Sequence, residues 1–341
     1  MQSRMNTLRS YPVSFILFWI LITHFSLLFL PGCATQAKVQ RLKEASAHYK
    51  LGISYLNDQQ TQQAFVEFQK AIEFNPDDRD SHYALGHIYV GQLKYDEAEQ
   101  EFKKTSKIDP DYSEAYNYLG KVYEQRSILY EQKGEPDKAR RELDKAIRQY
   151  QKALTNPTYA TPEIAHFNIG VAFQRQGKLN EAMIEHQRAV RINPDHLPAQ
   201  YALAQLYADH GKFKEAITSY KEVLRLYPDF VDAHYHLAWA YLKTGAKAEA
   251  LSEFSMIVEK QSESELAKRS KKHLAFFESK AEKLKPGMSV DQVMRVLGKS
   301  ATVVRNSKSK AGEEQWLLDH YDLVLRFEDG HYVGYQESPR K

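Results

Sequence analysis

Residues 51–76 read "LGISYLNDQQTQQAFVEFQKAIEFNP", and residues 85–110 repeat the same skeleton as "LGHIYVGQLKYDEAEQEFKKTSKIDP". Both begin with Leu-Gly and then place an aromatic residue, an alanine, a second aromatic residue and a final proline at matching distances. Small residues let two helices approach closely, and proline cannot continue a helix. The stretch therefore predicts a helical hairpin that begins at Leu51 and whose period brings the next copy to Leu85.

Further copies of this skeleton follow, and together they define six predicted repeats: 45–78, 79–112, 113–158, 163–196, 197–230 and 231–264. Their shared pattern resembles the tetratricopeptide repeat (TPR) family over residues 45–264. The resemblance implies a mainly α protein whose helical hairpins form a superhelix of about six repeats.

Repeat three departs from the period. Gly120 and Gly134 are twice as far apart in the chain as Gly170 and Gly177 of repeat four, and the step from Ala139 to Ala146 adds the same length to the second helix. The spacing predicts that both helices of this repeat are longer by about two turns. The extension is either a tolerated insertion or a ridge for docking.

Residues 265–283 continue as an apolar-faced helix after the last repeat. Such a helix is typical of the cap that covers the end of a solenoid. From residue 284 the pattern changes to that of a small α+β domain. Ser289 and Gln292 form a capping box before a short helix, three or four strand segments follow, and Asp329-Gly330 is typical of a tight hairpin.

The segment 284–341 resembles the SmpA/OmlA (BamE-like) domain of small outer-membrane lipoproteins. The residues that carry this resemblance are Gly287, Met288, Ser289, Val293, Leu297, Gly298, Trp316, Phe327, Glu328, Asp329 and Gly330. The resemblance implies a fold that serves as a binding surface, and it assigns no functional residue.

The N-terminus has the layout of a secretory signal. Arg4 and Arg9 precede the apolar stretch "VSFILFWILITHFSLLFL" at residues 13–30, and the first acidic residue is Glu44. This stretch could also span a bilayer as an uncleaved anchor in the inner membrane.

Residues 30–33, Leu-Pro-Gly-Cys, resemble a bacterial lipobox. The resemblance implies that residues 1–32 are a cleaved signal peptide and that Cys33, the only cysteine in the chain, is lipidated. Residues 33–44 are then a lipidated tether. We expect an outer-membrane lipoprotein that faces the periplasm and is held to the membrane by this lipid anchor.

Composition and motifs argue against several classes of function. The formal net charge of +3 over 341 residues is too small to indicate nucleic-acid binding. The sequence contains no Gly-rich phosphate loop, HExxH or GxSxG motif. We therefore expect no enzymatic activity, no cofactor, no metal site and no small-molecule substrate.

Four histidines, His48, His82, His166 and His234, share the fourth position of their repeats. A tight zinc site needs several ligands that converge on one point, whereas these residues lie on separate hairpins. We expect them to pack between helices.

In TPR proteins the first helix of each hairpin is called helix A and the second helix B. Positions five and nine of helix A face the concave surface. Aromatic side chains recur at position five, and such residues commonly anchor interfaces. The alternative is that these aromatics mainly pack one helix A against the next. The expected protein-binding groove is lined by Tyr49, Tyr83, His87, Asn117, Lys121, Phe167, Tyr201, Gln205, Tyr235 and Trp239.

These features predict a non-enzymatic periplasmic scaffold or adaptor. Its TPR groove would bind an envelope protein or peptide segment during outer-membrane or pilus assembly. One alternative is an adaptor or inhibitor of cell-wall hydrolases or proteases. An alternative of another class is an enzymatic activity in the C-terminal domain.

Overall fold

The computed structural model describes residues 13–298, 303–306, 313–318 and 321–338, with side chains described from residue 35 onward except at 303–306. The side chains of Cys33 and of the predicted signal peptide lie outside the part described with side chains. The helices are α1 (Val13–Asn57), α2 (Thr61–Phe74), α3 (Arg79–Gly91), α4 (Tyr95–Ile108), α5 (Ser113–Gln132), α6 (Pro136–Ala153), α7 (Pro162–Arg175), α8 (Leu179–Ile192), α9 (Leu197–Asp209), α10 (Phe213–Leu226), α11 (Val231–Thr244), α12 (Lys247–Lys260), α13 (Glu265–Ser279) and α14 (Val290–Leu297).

The chain divides into two compact units, unit 1 (Met1–Ala160) and unit 2 (Thr161–Lys341). In unit 1, α1 pairs with α2, α3 with α4 and α5 with α6, and in unit 2 the pairs are α7 with α8, α9 with α10 and α11 with α12. The prediction of a mainly α chain of helical hairpins followed by a small α+β domain is confirmed.

A glycine of helix A lets each hairpin close around an aromatic ring of helix B. A Cβ atom added at Gly86 would lie 2.6 Å from the ring of Phe102, which is completely buried. The same close approach recurs at Gly52 with Phe68. The Leu-Gly pair of the repeat therefore marks the tightest helix contact of the hairpin.

The first helix of repeat one begins well before the predicted repeat. Helix α1 runs from Val13 to Asn57, so the predicted tether 33–44 is helical and continues without a break into repeat one. Residues 35–44, "TQAKVQRLKE", contain no glycine or proline and are rich in residues that favour helix, which explains why the helix does not stop before Ala45.

Repeat three is extended, although less symmetrically than predicted. Helix α5 has 20 residues and α6 has 18, compared with 13 in α3 and 14 in α4. The first helix is therefore longer by about two turns and the second by about one. The prediction of two extra turns in α6 is wrong, because α6 ends at Ala153, well before Pro157.

One position in the turn of each hairpin has a positive φ, and it is a glycine in four of the repeats. Gly134, Gly177, Gly211 and Gly245 all have positive φ, at the same distance before the alanine of helix B. In repeat two this position is Leu93, with a φ of 60° and 71% of its side chain exposed. Leucine in the left-handed region is strained, and exposure gives it no compensating packing.

We expect Leu93→Gly to raise the free energy of unfolding by about 0.5–1 kcal/mol, the relieved strain less the greater backbone entropy of glycine. Urea denaturation measures the change. The matched control is Gly134→Leu in the same unit, where φ is 72° and no atom lies within 4 Å of an added Cβ, so that strain alone is introduced. Equal stability of both variants and the parent chain would contradict the argument.

The C-terminal domain consists of α14 and a four-stranded antiparallel sheet. The strands are β1 (Val303–Asn306), β2 (Glu313–Leu318), β3 (Leu323–Glu328) and β4 (His331–Glu337), in the order β1-β2-β3-β4. The predicted capping box forms at α14, since Ser289 and Gln292 bond reciprocally. Asp329 and Gly330 both have positive φ, as the predicted tight hairpin between β3 and β4 requires.

Within unit 2 the C-terminal domain shares one hydrophobic core with repeat six and α13. The buried residues of this core come from α11, α12, α13, α14 and the sheet. They include Tyr235, Trp239, Phe254, Phe276, Phe277, Val293, Trp316, Leu325 and Phe327. Helix α13 thus covers the end of repeat six on one side and carries the sheet on the other.

Candidate protein-binding surfaces

Repeats two and three bring five rings together in unit 1, and we call Tyr83, His87, Phe102, Tyr112 and Tyr118 the aromatic cluster. The ring centroid of Tyr83 lies 5.1 Å from that of Tyr112 and 5.7 Å from that of Tyr118, both edge-to-face. The His87 ring lies 4.0 Å from Tyr118. Phe102 is buried beneath these rings, and the other four are half-buried. The cluster therefore presents a partly open aromatic surface.

Two cations border the aromatic cluster. The Arg79 guanidinium lies 4.4 Å from the ring centre of Tyr112, and the Lys121 ammonium lies 4.7 Å from that of Tyr118. Burial lowers the pKa of Lys121, and it lowers the pKa of His87 to about 4, with a further contribution from Lys121. His87 is therefore neutral at pH 7. Arg79 is already paired with Asp80 and Asp109, at 2.7 Å each, so Lys121 is the cation that can meet an acidic group of a partner. The surface therefore suits an apolar side chain that is followed by an acidic group.

Unit 2 repeats this arrangement as two aromatic pairs. The ring of Phe167 lies 5.2 Å from His196, and that of Tyr201 lies 4.8 Å from Phe230. In each pair the second ring follows the first at the same distance along the chain as Tyr112 follows Tyr83. All four rings are half-buried, and so is the predicted groove residue Gln205.

The second ring of each pair was missed from the sequence. Tyr112, His196 and Phe230 directly follow a Pro-Asp dipeptide and each is the residue before a helix A begins. The sequence signal was an aromatic residue after Pro-Asp, in a position outside the helix faces that the repeat pattern marks. In repeat one the residue at this distance after Tyr49 is Asp78, which has no ring. The Tyr49 ring packs instead on Phe68, with 5.8 Å between the ring centroids.

Three predicted groove residues are buried, which corrects the expected groove. Asn117 is 4% exposed, Trp239 is 7% exposed and Tyr235 has no exposed surface. The prediction that Tyr235 and Trp239 line an open groove is wrong, because α13 and the C-terminal domain cover them. The aromatic surface of unit 2 therefore ends at the half-buried His236, whose ring lies 6.4 Å from that of Tyr201.

A polar network fixes the C-terminal domain over Tyr235. The buried Arg269 of α13 pairs with Asp322 and, at 2.8 Å, with Glu337, and it also donates to the Ser338 carbonyl. The Tyr235 hydroxyl lies 2.9 Å from Glu337 and 3.0 Å from Nε2 of His273.

His273 completes this network as a neutral ring. Burial lowers its pKa to about 4, and Nδ1 lies 3.1 Å from the Tyr321 carbonyl. Nδ1 therefore carries the proton, and Nε2 is an acceptor that shares the single proton of the Tyr235 hydroxyl with Glu337, to which the hydroxyl donates. Repeat six, α13 and the sheet are thus joined by hydrogen bonds as well as by a shared core.

The position-four histidines pair with glutamates of helix B, each at the same spacing along the chain. The distances from Nδ1 to the carboxylate are 2.6 Å for His48–Glu67, 2.5 Å for His82–Glu101, 2.7 Å for His166–Glu185 and 2.5 Å for His234–Glu253. These pairs tie helix A to helix B, and the carboxylate partner was missed from the sequence. In the part of the chain that the structure describes, no group of three metal-ligating side chains converges.

His234 is held between two acceptors. Its Nδ1 faces Glu253, and its Nε2 lies 2.9 Å from the Pro228 carbonyl. Burial opposes the charged ring, but the hydrogen bonds to Glu253 and Pro228 outweigh it, so the pKa of His234 is raised. A raised pKa in the folded state means that this contact stabilises below the pKa of an unfolded histidine and weakens as the pH rises.

Family models of the tetratricopeptide repeat match residues 55–126, 161–229 and 201–265. The helical hairpins of this chain are tetratricopeptide repeats. Within the residues that are described with side chains, no helix is both long enough and apolar enough to cross a membrane. No curated protein matches the chain significantly.

Two solved structures share the fold. The type IV pilus biogenesis factor PilW is 22% identical, and the match covers 65% of this chain and 96% of PilW with a TM-score of 0.51. PilF of Pseudomonas aeruginosa is 20% identical, and the match covers 67% of this chain and 96% of PilF with a TM-score of 0.55. Nearly the whole of each of these proteins thus corresponds to part of this chain.

Proposed function

We propose that this chain is a non-enzymatic scaffold of the cell envelope that binds extended or helical segments of envelope proteins through its TPR aromatic surfaces. The observation that carries the proposal is the half-open aromatic cluster of repeats two and three with Lys121 at its border. Aromatic side chains bind apolar partners at low entropic cost, and they dominate the binding energy of many interfaces.

The fold likeness to PilW and PilF supports an envelope role, since PilW is described as a type IV pilus biogenesis factor. The lipobox resemblance at residues 30–33 supports attachment of Cys33 to the outer membrane, with the repeats in the periplasm. The SmpA/OmlA (BamE-like) resemblance supports the C-terminal domain as a second contact surface in outer-membrane or pilus assembly.

The binding surfaces of this proposal differ from the predicted groove, and each is described within its own unit. One surface, in unit 1, consists of the aromatic cluster and Lys121. A separate surface, in unit 2, consists of the pairs of Phe167 with His196 and Tyr201 with Phe230. Tyr235 and Trp239 of repeat six are excluded because the chain's own C-terminal domain covers them.

In-cell crosslinking followed by affinity measurement with the purified partner tests the proposal. We expect Tyr118→Ala and Tyr201→Ala each to weaken capture by at least about tenfold, since both remove a large aromatic contact. The control is Tyr130→Ala on the extension of α5, which lies outside the aromatic surfaces. Unchanged affinity in both groove variants, with folding intact by circular dichroism, would refute the aromatic surfaces as the binding site.

A further inference from the structure

The stacking face of repeat one is exposed. Leu51 is 42% exposed, whereas the equivalent Leu85 and Leu119 of the next two repeats are 4% and 2% exposed. Ala47 is likewise exposed, whereas Ser81, at its position in repeat two, is buried. In repeats two and three this side of helix A packs on the preceding hairpin, and in repeat one it faces outward.

The exposed face continues along α1 beyond the repeat. Val39 is 46% exposed and Leu42 is 42% exposed. The exposed residues recur at about every third or fourth position, so they lie on one side of the helix. These side chains surround a shallow depression of about 470 Å³, and we call them the α1 stripe: Val39, Leu42, Lys43, Ser46, Ala47 and Lys50.

The charge of the α1 stripe is positive. Within residues 35–57 the only acidic residue is Glu44, which lies off the stripe and accepts a hydrogen bond from Gln40. Arg41 also points away, since it donates to the Glu73 carbonyl. In the described part of unit 1, no carboxylate pairs with Lys43 or Lys50.

We infer that the α1 stripe binds the surface of an anionic lipid bilayer. Apolar side chains interleaved with lysines on one helix face suit the boundary between headgroups and acyl chains. Each lysine near an anionic surface adds an attraction that salt weakens. The stripe begins at Val39, about 9 Å along the helix from Cys33, so it lies next to the proposed membrane attachment.

The charges argue against two other occupants. A second copy stacked on this face would bring Lys43 and Lys50 of both chains together without a counterion. A further hairpin would have to bury Lys50 at the position where repeat two has the small residue Ala84. A lipid surface lets both lysines keep their charged ends in the headgroup region.

An environment-sensitive fluorescent amino acid at Ser46 of the full chain tests the inference. With vesicles of phosphatidylcholine and phosphatidylglycerol we expect a blue shift that high salt removes, and with phosphatidylcholine alone we expect none. The same reporter at the exposed Gln100 of α4 should not respond. Equal shifts with both vesicles, no shift with either, or a concentration-dependent shift without vesicles would each overturn the inference, the last in favour of self-association.

Charge variants sharpen this test. Lys43→Gln with Lys50→Gln should weaken the response to phosphatidylglycerol by on the order of 30-fold. The matched control is Lys107→Gln with Lys133→Gln, which removes the same charge from exposed positions elsewhere in unit 1. Equal losses in both pairs would show a general charge effect and overturn the assignment to the stripe. The aromatic surfaces are untouched, so this result is independent of partner capture.

Discussion

Arg269→Met will lower the free energy of unfolding of unit 2 by about 3–5 kcal/mol. Arg269 is 8% exposed and pairs with both Asp322 and Glu337. Methionine fills a similar volume but leaves two carboxylates without their cation in a partly desolvated site. The cost of that uncompensated charge exceeds any gain from the added apolar surface.

Urea denaturation of the full chain, followed by tryptophan fluorescence, measures this loss. Trp239 and Trp316, two of the three tryptophans, lie in the core that Arg269 borders. The matched control is Lys268→Met, one residue earlier on α13, where the exposed ammonium lies 4.0 Å from Glu265. We expect little change from this control, because an exposed pair contributes little. A loss no larger than that of the control would contradict the role of the network.

The triple variant Arg269→Met, Asp322→Asn and Glu337→Gln separates charge from packing. We expect it to recover most of the lost stability, because neutral amides are far cheaper to bury than unpaired carboxylates. If the triple variant is as unstable as the single one, Arg269 contributes through contacts that methionine does not replace, including its guanidinium 5.3 Å from the centre of the Tyr235 ring.

The repeats could be predicted because their determinants are local. Glycine against an aromatic ring, alanine between helices and a terminal proline recur at fixed spacing, and each has one structural meaning. The determinants of the C-terminal elements are equally local. Ser289 and Gln292 specify the cap of α14, and Asp329-Gly330 specifies the turn between β3 and β4.

The burial of Tyr235 and Trp239 could not be predicted from the repeat pattern. Tyr235 has the same repeat position as the half-buried Tyr83 and Tyr201. Trp239 has the same position as the half-buried His87 and Gln205. What covers Tyr235 and Trp239 comes from α13 and from Glu337, which lies 102 residues beyond Tyr235 in the chain. A pattern within one repeat carries no information on a contact at that distance.

The histidine–glutamate pairs lie between these two cases. The spacing from His82 to Glu101 is present in the sequence and recurs unchanged in the other three pairs. A search for zinc ligands does not reveal it, because each histidine has a single carboxylate partner across one hairpin and not several ligands at one point. The aromatic residue that follows Pro-Asp is likewise not revealed by the helix faces of the repeat pattern, since it precedes the helix.

Gly120→Ala will lower the free energy of unfolding of unit 1 by about 3 kcal/mol. An added Cβ would lie 2.4 Å from Cε1 and 2.5 Å from Cδ1 of Tyr150, closer than any real contact of this kind. The Tyr150 ring is completely buried, and its hydroxyl donates a 2.9 Å hydrogen bond to Glu124. The ring therefore cannot move aside without losing this bond, and α5 and α6 must separate instead.

Urea denaturation against two matched variants identifies the cause. Gly91→Ala, at the end of α3, meets no atom within 4 Å and should leave stability unchanged or slightly raised, because alanine favours helix. In a Tyr150→Leu background the added methyl group should cost far less than in the parent chain, since the two residues are coupled by direct contact. Equal costs in both backgrounds would place the strain elsewhere in α5. A small loss in the parent chain would mean that the long hairpin of repeat three opens readily, and a rigid docking ridge could not then be built on it.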